Sequence, residues 1–143
     1  MIALDTNILV YAHRRDSPFH GPALETLAEL ASGSAAWAIP WPCVHEFISI
    51  VTHPRIYSPP TGLDTAFEFL GNWFQSKSLL LLSEGETHFA RLASLAGRAR
   101  LAGPKIHDAR IAALCLAHGV DFLYTADRDF SLFPDLKTRN PLV

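Results

Sequence analysis

Short apolar runs recur along this chain and do not alternate with polar residues. Ile2–Leu4, Ala36–Ile39, Leu79–Leu82 and Phe122–Tyr124 are each continuously apolar and each three or four residues long. A strand with one wet face shows every second residue polar, whereas a strand covered on both faces does not. Segments of helical period separate the runs. Asn7 is a candidate cap for a helix reaching about His13. A second helix starts near Pro18, carries Phe19, Leu24, Leu27 and Leu30, and stops near Ser32–Gly33. Val44, Phe47, Ile48 and Val51 follow the 3–4 spacing of a third. His53 to Gly62 holds three prolines and reads as a loop. Helices are expected over Leu63–Phe74, Glu84–Ala99 and Lys105–His118, the last ended by Gly119 as a left-handed C′ residue. Lys137–Arg139 is a candidate edge strand. Strands alternating with helices predict an α/β fold with a mainly parallel sheet. Ligands in such folds bind beyond the carboxyl ends of the strands.

The 143 residues are expected to form one domain, 1–143. Hydrophobic residues make up 49% and charged residues 18%, enough apolar material for a real core. No apolar run approaches the roughly 18 residues of a membrane helix. Asp5 interrupts the N-terminal apolar stretch, so no signal peptide is expected and a cytoplasmic protein fits. Cys43 and Cys115 form no C-x-x-C motif and are expected to be buried free thiols.

The net charge of −2 argues against coating nucleic acid by bulk charge. It leaves room for a basic rim around an acidic centre. Arg98, Arg100, Lys105 and Arg110 crowd one stretch, and Arg14–Arg15 form another; a solvated helix face explains each equally well.

The first apolar run ends on a carboxylate, and a buried unpaired carboxylate is costly. Three more acids share the setting of Asp5. Glu46 lies early in the helix after the second strand, Asp108 in the first turns of the helix from Lys105, and Asp127 just after the strand Phe122–Tyr124, with Asp129 two residues on. Strand C-termini and the following helix N-termini share one edge of a parallel sheet, so four carboxylates can converge there. Packed like charges repel unless cations sit among them. All-oxygen donors suit Mg²⁺ or Mn²⁺ rather than Zn²⁺. Such ions activate water and stabilise the leaving oxygen in phosphodiester cleavage.

Competing chemistries lack their signatures. His45–Glu46 is followed by Ser49 where H-E-x-x-H needs its second histidine, which excludes a zincin. Neither G-x-x-x-x-G-K-[ST] nor G-x-G-x-x-G occurs. A phosphotransfer enzyme with a nucleophilic aspartate would want D-x-D, and Asn7 stands at the second acid.

The stretches DTNILVYA, PCVHEFISIV, HDARIAALCLAHG and TADRDFSLFP, in that order and followed by Asn140–Pro141, resemble the PIN domain, and VapC-type toxins of toxin–antitoxin pairs within it. The resemblance covers nearly the whole chain. It implies a three-layer α/β/α sandwich around a short parallel sheet and a Mg²⁺-dependent endoribonuclease, with Mn²⁺ able to substitute. It also implies a cognate VapB-type antitoxin and assembly as a homodimer or toxin–antitoxin hetero-oligomer. It places Asp5, Glu46, Asp108 and Asp127 in an acidic quartet that is both catalytic and metal-binding. Thr6, Asn7 and Thr125 become its polar support, and Asp129 a further acid. Arg14, Arg15, Lys105 and Arg110 are candidate RNA contacts. Trp37, Trp41 and Trp73 are candidate stacking residues, although core packing suits them better. His107 is expected to face solvent. The apolar loop Pro54–Pro60, with Ile56 and Tyr57, is a candidate interface. The alternative reading is a PIN-fold interaction module without catalysis, which would have no physical reason to keep four mutually repelling carboxylates.

Overall fold

The computed structural model describes residues 1–143. Five parallel strands form one sheet: β1 (Ile2–Leu4), β2 (Trp37–Pro40), β3 (Leu79–Leu82), β4 (Phe122–Tyr124) and β5 (Thr138–Arg139). Their spatial order is β3-β2-β1-β4-β5, so β1 is central. Ile2 lies opposite Trp37 on one side and Phe122 on the other. Ala3, Leu4, Trp37, Ala38 and Ile39 are all fully buried. Successive strand residues point to opposite faces, so both faces are covered. The helices α1 (Thr6–His13), α2 (His20–Ser32), α3 (Trp41–Val51), α4 (Leu63–Trp73), α5 (His88–Ala99) and α6 (Ile106–Ala117) supply the outer layers of an α/β/α sandwich.

The pattern of burial explains which elements sit where. In α6, Ile111 to Cys115 is buried without interruption, the mark of an internal helix. α5 buries only Leu95 and leaves Phe89 open to solvent. One edge is blunted: β5 is two residues long, exposed and carries Arg139, whereas the opposite edge strand, β3, is four leucines with Leu80 about half exposed. Trp37, Phe47, Phe130 and Phe133 are the largest fully buried side chains. Both cysteines are free and buried, as their apolar context predicts. Trp37 and Trp73 belong to the core, and half-buried Trp41 packs edge-on against Phe74.

Several boundaries differ from expectation. Asn7 does not cap α1. Asp5 does, its side chain accepting from the Thr6 N–H, while Asn7 lies inside the first turn with its amide turned to other work. α5 begins at His88 rather than Glu84: the chain first makes a turn at Glu86–Thr87, closed by the His88 N–H on the Gly85 carbonyl. The second strand runs one residue later than the apolar run suggests, since Pro40 still pairs with Leu82. Two 3₁₀ segments, Gly103–Lys105 and Arg128–Leu132, have too few residues to leave a periodic signal. Gly119 does end α6: with φ at 70° it lets the Val120 N–H reach the Cys115 carbonyl, closing a Schellman motif.

Candidate functional site

β1 ends where its carboxylate begins. The Asp5 N–H still donates to the Tyr124 carbonyl of β4, so the sheet itself fixes the residue, and the chain turns directly into α1. The side chain is 5% exposed. Its Oδ1 accepts from the Thr6 N–H at 2.8 Å and lies 3.6 Å from the Cys43 thiol. Its Oδ2 accepts from the Thr125 hydroxyl at 2.7 Å and the Asn7 amide at 3.2 Å. Burial nevertheless wins: it pushes the Asp5 carboxyl up to about 6, against the pull of these hydrogen bonds and with a push from Glu46.

The other acids gather around it from three elements. Glu46 lies in the second turn of α3, half-buried, and its Oε2 accepts from the Thr6 hydroxyl at 2.8 Å. Asp108 lies in the first turn of α6, where the helix dipole favours an acid. Burial still raises its carboxyl above the ordinary range, and Asp127, Asp129 and Glu46 add to the rise while Lys105 opposes it. Asp127 follows β4. Its N–H donates to the Thr125 hydroxyl at 3.0 Å, and its Oδ1 accepts from the Asp129 N–H at 2.8 Å. Asp5, Glu46, Asp108 and Asp127 line one cleft of about 250 Å³. Carboxylate oxygens of Asp108, Asp127 and Asp129 lie within 4.8 Å of one another.

Three neutral residues weld this edge together. Asn7 donates to both Asp5 and Thr125, the latter at 3.2 Å, and its Oδ1 accepts from the Ala126 N–H at 3.1 Å. Thr125 is 3% exposed and serves Asp5 and Asp127 at once. Thr6 reaches across to Glu46. Thr6, Asn7 and Thr125, expected as polar support, therefore touch the acids directly.

The donor set is all oxygen and anionic, and two of its carboxyls, Asp5 and Asp108, are held above their ordinary values by burial and by neighbouring carboxylates. This is the electrostatic signature of a place that a hard divalent cation would relieve, so the residues fit such an ion. A larger cavity, about 540 Å³, lies against α5, but its only acid, Asp135, is paired with Arg98. It has no comparable chemistry.

The candidate basic residues are placed unequally. Arg14 is committed internally: it pairs with Asp16 at 2.6 Å, donates to the Pro59 carbonyl and the Thr61 hydroxyl, and covers the Tyr57 ring. Arg15 is exposed, with no ion pair. Lys105 pairs with Asp129 at the rim of the acidic cluster, and Arg110 pairs with Glu84. His107 faces solvent as expected. Sequence reasoning missed Cys43 and the apolar side of the cleft: Val10, Tyr11, Ile50, Tyr57 and Ile111. Val10 and Tyr11 carried a usable signal, being one helical turn beyond Thr6 and Asn7; Tyr57, in a loop without period, carried none.

Comparison with known proteins bears on this geometry. Residues 2–136 match the PIN domain family. Ribonuclease VapC43 of Mycobacterium tuberculosis is 32% identical over 142 residues, covering 99% of this chain and 96% of the relative. Ribonuclease VapC48 of the same organism is 26% identical over 137 residues, covering 96% and 94%. In fold, the chain resembles VapBC2 from Rickettsia felis, solved bound to a DNA fragment from its promoter, with a TM-score of 0.71, 21% identity and 98% of each chain covered. It also resembles VapC20 of Mycobacterium tuberculosis, a sarcin–ricin loop cleaving toxin, with a TM-score of 0.69 and 16% identity over 92% and 93% of the two chains. The parallel sheet, the full-length family match and a relative above 30% identity agree: the chain belongs to the PIN-domain family.

Proposed function

We propose that this protein is a metal-dependent endoribonuclease of the VapC type, acting as one nuclease domain over residues 1–143, and that its centre is the cleft of Asp5, Glu46, Asp108 and Asp127. The observation that carries the reading is the convergence of these four carboxylates, two from strand ends and two from the early turns of helices, with burial raising two of them. The full-length relatives named as ribonucleases supply the reaction class.

Asp5, Glu46 and Asp108 would hold a Mg²⁺ ion, with Mn²⁺ able to replace it, and Asp127 would hold a second ion or orient the attacking water. When bound, the ion supplies positive charge for the scissile phosphate and lowers the pKa of water, so no histidine base is needed. The chain's own residues do the rest. Thr125 and Asn7 hold the Asp5 carboxylate through Oδ2 at the strand end. Thr6 orients Glu46. The Asp127 carboxylate caps the following 3₁₀ turn through one oxygen, which fixes the direction of the other. Of the basic candidates, Lys105 stands at the rim of the acidic cluster through its pair with Asp129 and would meet phosphates there; Arg15 is exposed, and Arg14 and Arg110 are paired with Asp16 and Glu84.

The partner would be a VapB-type antitoxin, in a homodimeric or hetero-oligomeric assembly. Ile56, Leu63 and Phe67 are each more than half exposed, and Leu63 and Phe67 share one face of α4. Such a surface favours a covering chain. No helix is long and apolar enough to cross a membrane; a cytoplasmic site of action accords with an RNA substrate. Purified protein incubated with total cellular RNA tests the reading. Discrete fragments in Mg²⁺ or Mn²⁺, none in chelator and none from the Asp108→Asn variant, are expected. Intact RNA with well-folded wild type in both metals would refute it.

A further inference from the structure

The cleft has two unlike walls. One is the carboxylate cluster. The other is apolar and aromatic, and it includes Tyr11 of α1 and Tyr57 of the loop between α3 and α4. Holding a cation requires no aromatic wall. The three tryptophans do not reach this cleft, so these tyrosines are its only aromatic rings.

The Tyr57 ring is held in place by a dedicated support. The Arg14 guanidinium lies over it, 4.2 Å from its centroid. Arg14 in turn is fixed by the Asp16 carboxylate, by the Pro59 carbonyl at 3.0 Å and by the Thr61 hydroxyl at 3.2 Å. The Thr61 hydroxyl also meets His13 Nε2 at 2.8 Å, and the Thr61 N–H donates to the Val51 carbonyl at 2.8 Å. A loop that is mostly exposed thus has its one aromatic residue tied back to α1 and α3. Tyr11 is braced separately, its ring 5.3 Å from that of Phe19. Both tyrosines are half-buried.

A nucleotide has two chemically distinct ends, an anionic phosphate and a flat π-faced base. The cleft has a wall for each: aromatic rings for the base, and a carboxylate cluster that would meet the phosphate through a divalent cation held between them. Single-stranded RNA is bound in this way elsewhere, by stacking unpaired bases on aromatic side chains while charge handles the backbone. We propose that Tyr57, with Tyr11 beside it, is a stacking wall that receives a nucleobase adjacent to the phosphate handled at the carboxylates, and that Arg14 is its positioning residue rather than a phosphate contact. The proposal rests on the ribonuclease reading and adds to it a single-stranded substrate with an unstacked base.

The test measures binding without cleavage. Fluorescence anisotropy follows a short labelled oligoadenylate, and a ribose–phosphate strand of the same length lacking every base, in Mg²⁺ and in an Asp5→Asn background. Tyr57→Leu is expected to weaken oligoadenylate binding by about five- to a hundredfold and to leave binding of the baseless strand unchanged, while Tyr57→Phe stays near the parent on both. Arg14→Gln is expected to weaken oligoadenylate in the same direction, and to add little on top of Tyr57→Leu. Equal losses on the two strands would make Tyr57 a support for the loop and overturn the proposal, as would no loss on either. Unchanged thermal unfolding of Tyr57→Phe and a small shift in Tyr57→Leu keep misfolding out of the comparison. Because the readout is binding, total RNA left intact by the wild type would sink the ribonuclease reading while this result still stood or fell separately.

Discussion

Asp5→Asn should change stability in a pH-dependent way that reverses sign. In the metal-free wild type the Asp5 carboxyl is raised from 3.8 to about 6, chiefly by burial. A carboxyl that binds its proton more tightly folded than unfolded stabilises the fold where it is protonated and costs stability where it is ionised. The cost is absent below the unfolded value near 3.8, grows as pH rises, and is complete above about 6. A difference of that size corresponds to about 3 kcal/mol. Asparagine removes the charge but brings an amide N–H₂ into a pocket that presents the Thr6 N–H, the Thr125 hydroxyl and the Asn7 amide. One mismatched donor costs about 1–2 kcal/mol at every pH. The variant should therefore be more stable than wild type by about 1–2 kcal/mol at pH 8 and less stable by a similar amount near pH 4. Urea unfolding in chelator, followed by circular dichroism across that range, measures the difference. The change in that difference, about 3 kcal/mol between the extremes, is the diagnostic quantity. A difference that does not vary with pH would refute the reasoning, because it would mean that Asp5 is not a buried carboxylate held ionised at neutral pH. Adding Mg²⁺ should erase the advantage of the variant at pH 8, since the ion would stabilise only the wild type strongly.

Other perturbations have equally definite outcomes. Thr6→Val removes the hydroxyl that holds Glu46; it should lower cleavage and Mg²⁺ affinity about tenfold with little change in melting temperature, the scale seen when a group supporting a metal ligand is lost. Asn7→Ala orphans the Ala126 N–H and removes one of two donors from both Asp5 Oδ2 and the Thr125 hydroxyl, and should cost about 1–3 kcal/mol in urea unfolding as well as activity. Arg100 ends α5 with φ at 53°, a left-handed position that favours glycine; Arg100→Gly should raise stability by about 0.5–1 kcal/mol and leave RNA cleavage unchanged. Cys43 and Cys115 are fully buried, and burial pushes the Cys115 thiol up to about 12; neither should react with a thiol reagent until urea unfolds the chain.

The parts of this molecule that were legible in the sequence are those set by burial pattern. β1 and β2 announce themselves because strands covered on both faces cannot alternate, and α6 through its apolar second half, Ile111–Ala117; β3 reads as equally apolar although, at the sheet edge, its Leu80 is 48% exposed. The meeting of Asp5, Glu46, Asp108 and Asp127 follows from topology alone: in a parallel sheet every strand end and the helix after it share one edge. What stayed hidden depends on atoms distant in sequence. Asn7 is a good capping residue, but Thr125 and Ala126 compete for its side chain and Asp5 takes the cap. The engagement of Arg14 by Asp16, Tyr57 and Pro59 is visible only once the loop is folded back onto α1. Tyr57 lies in a proline-rich loop, where neither period nor propensity places a ring against a cleft.

The most direct measurement is a Mn²⁺ titration by calorimetry beside RNA cleavage on the same samples, for wild type and for Asp5→Asn, Glu46→Gln, Asp108→Asn and Asp127→Asn. The account predicts that each substitution weakens cation binding and cleavage together, with Asp5→Asn and Asp108→Asn abolishing cleavage. Cation binding that survives all four substitutions, or cleavage that persists in chelator, would contradict it.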